Sequence, residues 1–182
     1  RSIGVNDNGA VIRKGLEWRG ARLALATVVS TWGSAPRPRG SHMIVHEDGR
    51  FEGSISGGCV ETDVLQRAAE VIAGRAAHVE TYGVADGDAW EVGLPCGGEI
   101  AVLVQPVGEG GFPPDLFEAI DAASARGRAV TLATDLATGT TQEGSGEGLF
   151  LNRYDPPRRL LIVGAVQIAQ SLVPLAPAIG VT

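Results

Sequence analysis

The sequence has few cysteines, little basic charge and no long apolar run. Its 182 residues include two cysteines, and 15 Lys and Arg residues stand against 21 Asp and Glu residues, for a net charge of −6. Nucleic-acid binding depends on a basic surface, so this balance argues against that class of protein. No run reaches the roughly 18 apolar residues of a membrane-spanning helix, and the N-terminal residues show no signal-peptide pattern. We predict a cytoplasmic protein that neither binds nucleic acid nor spans a membrane.

The two cysteines, Cys59 and Cys96, are both flanked by glycines. They could form one disulfide, but no secretory signal precedes them, and a cytoplasmic setting favours two free thiols. Apolar residues make up 44% of the chain, which is enough for a packed core.

The hydrophobic periodicity predicts a mixed α/β fold. Helical spacing occurs at 10–18, after Cys59, and at 116–127, and the helix after Cys59 has an apolar stripe that ends before Gly74. Strand patterns occur at 21–31, 41–46, 77–84, 99–107, 128–136 and 148–154, with a hairpin turn at 47–49. The polar run at 138–147 is interpreted as a turn.

The composition changes at 108–115, which predicts a domain boundary there. We expect an N-terminal domain at 10–107, a connecting helix and strands at 108–157, and a new unit at 158–182. That last segment has a short apolar strand, a glycine and a helical run, as in the first βα unit of a Rossmann-like domain. Each βαβ unit needs about 30 residues, so the Rossmann-like domain would be cut short.

Cys59 follows a flexible, glycine-containing stretch formed by Ser56, Gly57 and Gly58, and precedes a predicted helix. A thiolate at a helix start is stabilised by free backbone N–H groups and by the helix dipole, which raises its nucleophilicity and metal affinity. Glycines also let a ligand approach the backbone closely. The alternative is a small buried Cys59 after an ordinary turn, and spacing alone leaves both open.

The second thiol also lies next to residues without side chains. Cys96 is followed by Gly97 and Gly98 just before a predicted strand. If the strand and helix ends converge, Cys59 and Cys96 could line one cleft. They do not form a zinc quartet, because no CxxC-like ligand spacing is present.

The loop after the first long strand has two arginines held between prolines. Arg37 and Arg39 offer planar guanidinium groups suited to phosphate or carboxylate. Neutral donors would come from Gly33, Ser34 and Gly40. The alternative is a surface loop with solvated arginines.

Two further patterns are weaker. His42 and His46 share one strand face, but a metal site needs a third ligand, so an exposed face is the preferred interpretation. The segment 164–169 has Gly164 and Ala169 in a dinucleotide fingerprint, but Val166 occupies the position of the second glycine. This departure argues against tight NAD(P) binding.

Four stretches together resemble the XdhC/CoxI family of accessory factors for xanthine dehydrogenase and related molybdenum hydroxylases. They are TVVSTWGSAPRPRGSHM, GSISGGCVE, YGVADGDAWEVGLPCGGEIAVLVQPV and LLIVGAVQIAQSL, in that order along the chain. The resemblance covers about 15–107 and 158–172. It implies a chaperone rather than an enzyme, which binds the molybdenum cofactor (molybdopterin) while a cysteine desulfurase replaces an oxo ligand with sulfur. Delivery to a xanthine dehydrogenase-type molybdoenzyme follows, and a homodimer is expected.

The resemblance also implies roles for the site residues. Arg37 and the glycine amides suit the cofactor phosphate, and Cys59 or Cys96 could face the molybdenum. The implied cofactor-binding set is Gly33, Ser34, Arg37, Gly40, Ser56, Gly57, Gly58, Cys59, Cys96, Gly97 and Gly98. The competing interpretation is a nucleotide-binding oxidoreductase built on the C-terminal Rossmann-like unit.

Overall fold

The computed structural model describes residues 8–83, 97–158, 161–164 and 167–175. They form a mixed α/β fold with two antiparallel sheets, which confirms the predicted fold class. The helices are α1 (Gly9–Glu17), α2 (Glu61–Ile72), α3 (Asp115–Ala125) and α4 (Gln167–Leu172). The strands are β1 (Leu23–Trp32), β2 (His42–His46), β3 (Phe51–Gly53), β4 (His78–Tyr82), β5 (Glu99–Pro106), β6 (Val130–Thr134), β7 (Thr141–Glu143) and β8 (Phe150–Tyr154).

The larger sheet has the strand order β3-β2-β1-β5-β4, with the long strand β1 at its centre. β2 pairs with β1 only as far as Thr27, opposite His42. β1 continues beyond this point beside β5, through a register shift after Val28, until Trp32 lies opposite Glu99. The chain therefore leaves β1 at one end of the sheet, at the place where β5 begins.

Helix α2 covers one face of the larger sheet. Val64, Ala68 and Val71 are buried at the spacing of one helix face, as the apolar stripe predicted. They join a core that includes Ala26 and Val28 of β1. Because α2 packs on β1 and β5, its N-terminus is held near the end of the sheet.

The opposite face is covered by residues 108–157, which we had predicted to be a connection. Phe112 and Phe117 share a core cluster with Val11 of α1 and Ile44 of β2. A Cβ atom at Gly15 would lie 2.7 Å from the ring of Phe117, so α1 accommodates this ring only because a glycine faces it. Residues before and after the change in composition at 108–115 thus share one core cluster, and the domain boundary expected there stays a prediction.

A buried polar cluster lies between the larger sheet and the smaller sheet, whose order is β7-β6-β8. The ring of His42 is hydrogen-bonded through Nδ1 to Thr27 Oγ1 (2.8 Å) and through Nε2 to Tyr154 Oη (2.6 Å). Asn152 Nδ2 lies 3.2 Å from the same Nε2. Burial lowers the pKa of His42 to about 4 and raises the pKa of Tyr154 above its ordinary value. The exposed face expected for His42 was wrong, because the smaller sheet covers it.

One other expectation needs correction, because the polar run at 138–147 contains the short strand β7, which pairs with β6. The incomplete Rossmann-like unit at 158–182 stays a prediction. Its residues 161–163 form no strand, and Leu161 and Val163 are 87% and 91% exposed. Within the described ranges no strand pairs with them, so their backbone gains no sheet hydrogen bonds. In the same ranges no helix is long and apolar enough to cross a membrane.

Candidate functional site

Three of the predicted segments meet at the end of the sheet where β1 leaves and β5 begins. They are the loop after β1 (33–37), the loop before α2 (54–59) and the glycine pair before β5 (97–98). We call these residues together the glycine surface. The fold brings them together because β1 and β5 are paired neighbours and α2 packs on both strands.

The loop after β1 lies directly against the glycine pair. A Cβ atom at Gly98 would overlap the carbonyl oxygen of Ser34 and lie 3.0 Å from the carbonyl oxygen of Trp32. Gly33 has a φ of +68° and its Cα faces Gly98, where an added Cβ would lie 3.4 Å from the Gly98 Cα. Only glycine leaves room for this contact at position 98, whereas at position 33 it is the positive φ that favours glycine.

The same loop also contacts the loop before α2. A Cβ atom at Gly57 would lie 3.9 Å from the Cβ of Pro36, and Gly57 has a φ of +76°. Gly58 has a φ of +113°, and the position of its missing Cβ is open. Cys59 follows as an exposed free cysteine. An exposed thiol thus lies next to bare backbone, as the sequence predicted, and the alternative of a buried Cys59 was wrong.

The loop before α2 is wrapped around the carboxylate of Glu61. Oε1 accepts hydrogen bonds from Ser54 Oγ (2.7 Å), from the N–H of Ile55 (3.3 Å) and from the N–H of Ser56 (2.9 Å). Oε2 accepts them from the N–H of Gly58 (2.8 Å) and from Ser56 Oγ. Burial of Glu61 would raise its pKa, but these hydrogen bonds outweigh burial and lower the pKa to about 2.

These hydrogen bonds change the role that we predicted for the loop. The N–H of Gly57 donates to Ser54 Oγ (2.9 Å) and the N–H of Val60 donates to Ser56 Oγ (3.0 Å). With the N–H of Gly58 bound to Glu61, neither glycine amide is free to bind a phosphate, and the Ser56 hydroxyl is also engaged within the protein. The loop therefore contributes its shape and its cysteine rather than hydrogen-bond donors.

Cys59 does not lie at the start of the helix. α2 begins at Glu61 with Val60 as its N-cap, so Cys59 lies two residues earlier. The helix start is already occupied by the carboxylate of Glu61, a favourable position for a negative charge. Cys59 therefore lacks the position at the helix start on which the predicted thiolate depends.

The two arginines of the loop after β1 have different environments. The Nε of Arg37 is buried and has no hydrogen-bond partner in the described part of the chain. Arg39 donates from its Nε to the carbonyl oxygen of Val29 (3.0 Å), and its guanidinium lies 4.5 Å from the centre of the Phe150 ring. Arg39 therefore stabilises the loop, whereas Arg37 is the one with an unsatisfied donor.

Gly40, another predicted site residue, closes the base of this loop. Its N–H donates to the carbonyl oxygen of Val28 (2.7 Å), and its own carbonyl oxygen accepts from Asn8 Nδ2 (2.8 Å) and Asn152 Nδ2 (3.3 Å). Its polar groups are thus engaged away from the glycine surface.

Cys96 lies outside the described residues, so its predicted pairing with Cys59 at a metal stays a prediction. Gly97 is exposed, with a φ of +73°. Among the described residues no group of three or more His, Cys, Asp or Glu side chains is arranged to hold a metal ion.

Sequence reasoning missed the parts played by Ser54 and Glu61. Neither residue is among the site residues predicted from the sequence. The signal that could have identified Glu61 is the pattern of two serines and two glycines just before an acidic residue at a helix start. Such a loop has hydroxyl and amide donors that need a local acceptor.

Residues 18–83 match the model of the XdhC and CoxI family. The match confirms the resemblance to this family that the sequence motifs indicated. The matched range includes the loop after β1 and the loop before α2, and Gly97 and Gly98 lie outside it.

Two curated relatives and one solved structure are similar to this chain. It is 32% identical over 181 residues to the molybdenum cofactor insertion chaperone PaoD of Escherichia coli K12, an alignment that covers 96% of this chain and 56% of PaoD. It is 39% identical over 85 residues to a probable xanthine dehydrogenase subunit of Bacillus subtilis 168, with 46% of this chain and 26% of that protein covered. The chain thus spans about half of PaoD and a smaller part of the second relative.

The solved structure is a crystal structure described as a xanthine dehydrogenase from Bacillus halodurans. It superposes with a TM-score of 0.75 at 24% identity, covering 94% of this chain and 59% of that one. At this identity the similarity establishes the shared fold.

Proposed function

We propose that this protein is a chaperone that binds the molybdenum cofactor for a xanthine dehydrogenase-type molybdoenzyme. The observation that carries the proposal is the glycine surface, where Arg37, with its unsatisfied Nε, and exposed Cys59 lie on two loops in contact. The names of the relatives, a molybdenum cofactor insertion chaperone and a probable xanthine dehydrogenase subunit, support the same ligand and the same client.

The donor set fits the two ends of the cofactor. The molybdenum cofactor has a phosphate at one end and a dithiolene-bound molybdenum at the other. A guanidinium with an unsatisfied N–H suits a phosphate, because charge-assisted hydrogen bonds to phosphate are among the strongest in proteins. A thiol suits a soft metal centre. In this arrangement Arg37 would hold the phosphate and Cys59 would face the metal.

The bare backbone around these two side chains supports the proposal in another way. Gly57, Gly58 and Gly97 are exposed and carry no side chain that would keep a ligand away from the main chain. The surface is also already ordered by contacts between its loops. A ligand that binds there does not have to order them first, which favours affinity.

The finer steps belong to the same proposal. The protein holds the cofactor while a cysteine desulfurase acts on it, and then delivers the cofactor to the molybdoenzyme. Cys96 acts beside Cys59. The protein is a cytoplasmic homodimer. The resemblance of the sequence to the family motivates each of them. For the alternative, an oxidoreductase that uses a C-terminal Rossmann-like unit, the structure offers no support at 161–163, where the expected strand is not formed.

Replacing Arg37 by alanine tests the proposal. Loss of a charge-assisted hydrogen bond costs about 1.5–3 kcal/mol, so molybdopterin binding should weaken by about ten- to a hundredfold. The protein would be purified from a host that makes molybdopterin, and the retained pterin measured by fluorescence after oxidation. Dissociation constants would then be compared by titration with molybdopterin.

The matched control is Arg22→Ala. Arg22 forms an exposed ion pair with Glu47 (2.8 Å) just before β1, about 30 Å along the strand from the glycine surface. The Arg22→Ala variant loses the same positive charge as Arg37→Ala, and it should bind molybdopterin as tightly as the unchanged protein does. Equal binding by both variants would remove Arg37 from the site, and no pterin on the unchanged protein would contradict the proposed function itself.

A further inference from the structure

The side chain of Glu61 makes more hydrogen bonds to the loop before α2 than a helix-capping carboxylate needs. Its two oxygens accept from two serine hydroxyls and from three backbone N–H groups within residues 54–58. The residue is buried, although its carboxylate lies within a few residues of the exposed Cys59. Burying the carboxylate without these donors would cost free energy, so the folded loop and the buried side chain depend on one another.

The two neighbours of Cys59 are both fixed by this arrangement. On one side, the N–H of Gly58 donates to Glu61 Oε2 (2.8 Å). On the other side, the N–H of Val60 donates to Ser56 Oγ, and Ser56 itself donates to Glu61. The backbone of Cys59 is therefore held from both directions, while its side chain stays exposed.

Glu61 also determines which donors a ligand can reach. The loop amides and the start of α2 would otherwise form an attractive site for an anion. The carboxylate already occupies the N–H groups of Ile55, Ser56 and Gly58, so these three amides cannot bind an anionic ligand, whereas the Nε of Arg37 has no partner in the described part of the chain.

We propose that Glu61 is the positioning residue of this site: its carboxylate holds the Ser54–Cys59 loop in the conformation that presents Cys59 to the ligand. The proposal rests on the proposed function for the identity of the ligand. The conformation of the loop can be measured without any ligand.

The test compares Glu61→Gln with Asp63→Asn. Glutamine has nearly the same shape, but its amide group replaces one acceptor oxygen with a donor that faces other donors. Asp63 lies in the same first turn and also carries one negative charge, but in the described part of the chain its partners are Tyr82 Oη (2.7 Å) and Arg67 rather than the loop. The two variants therefore change the charge at the helix start equally and differ in the loop contacts.

Hydrogen exchange of the amides in residues 53–60 is the first measurement, and molybdopterin affinity is the second. In Glu61→Gln these amides should exchange at least about tenfold faster. Molybdopterin should bind about ten- to a hundredfold more weakly, because a residue that contacts a ligand binds it less well once the group that orients this residue is removed. Asp63→Asn should leave both unchanged. Glu61→Asp, which keeps the charge on a shorter side chain, should give intermediate values.

Wild-type protection and affinity in a folded Glu61→Gln variant would overturn the proposal, and so would equal losses in Asp63→Asn. If Glu61→Gln does not fold, Ser54→Ala removes one donor to the carboxylate and should cause smaller losses in the same two measurements. Wild-type values in Ser54→Ala would then count against the proposal. If the unchanged protein binds no molybdopterin, the proposed function fails, while the exchange data still decide whether Glu61 holds the loop.

Discussion

Replacing Phe117 by alanine is expected to lower the free energy of unfolding by about 3–5 kcal/mol. The ring is 1% exposed, lies 4.7 Å from the ring of Phe112 and faces Gly15 of α1. Its removal would leave a cavity between α1 and α3 that the helices cannot close without moving. Urea unfolding followed by tryptophan fluorescence and by far-UV circular dichroism would measure the change.

Phe51→Ala is the matched control, because Phe51 is 46% exposed in strand β3. Its loss should cost less than about 1 kcal/mol. A single unfolding transition that shifts as a whole in Phe117→Ala would agree with one core shared by residues 8–158. Two separate transitions, with only one of them shifted, would show that 108–157 folds as a unit of its own.

The stability of the protein is expected to fall by about 3 kcal/mol between pH 6.5 and pH 4 through His42 alone. In the folded state burial holds the pKa of His42 at about 4, against an ordinary value of 6.5. Above pH 6.5 the ring is neutral in both states and has no effect on stability. As the pH falls from 6.5 to 4, the unfolded chain takes up a proton that the folded protein does not, so stability is lost over this window.

His42→Gln isolates this contribution from that of the carboxylates, which titrate in part of the same range. Glutamine keeps hydrogen-bonding capacity beside Thr27 and Tyr154 but does not titrate. Urea unfolding at several pH values between 4 and 7.5 would give the free energy for both proteins. The variant should lose less stability than the unchanged protein, and parallel curves would show that His42 is not held neutral by burial.

Local patterns were sufficient to predict most helices and strands of this fold. The apolar stripe of α2 and the hairpin between β2 and β3 depend on residues close together in sequence, and both formed as expected. β7 was missed because only Thr141 of its three residues is buried, which leaves no alternation to detect. The run at 161–163 is as apolar as a strand, but pairing partners decide whether a strand forms.

The burial of His42 could not be predicted, because the face of β2 is covered by strands that follow it by about ninety residues or more. The same limit applies to the site. Glycines and a cysteine indicated a place where backbone is exposed, and Gly33 and Gly98 do meet there. That the amides before Cys59 would bind to Glu61, and not to a ligand, depends on how the loop turns back, which spacing does not reveal.

The openness of the glycine surface has a consequence for the exchange of cargo between proteins. Ser34, Pro36, Gly57, Gly58 and Cys59 are all exposed, so a ligand held against them would keep one side uncovered. Enclosed pockets cover most of a small ligand and must open before it can leave. If the cofactor binds here as proposed, a receiving protein could contact its uncovered side before the cofactor leaves this surface, and the transfer would need no opening step.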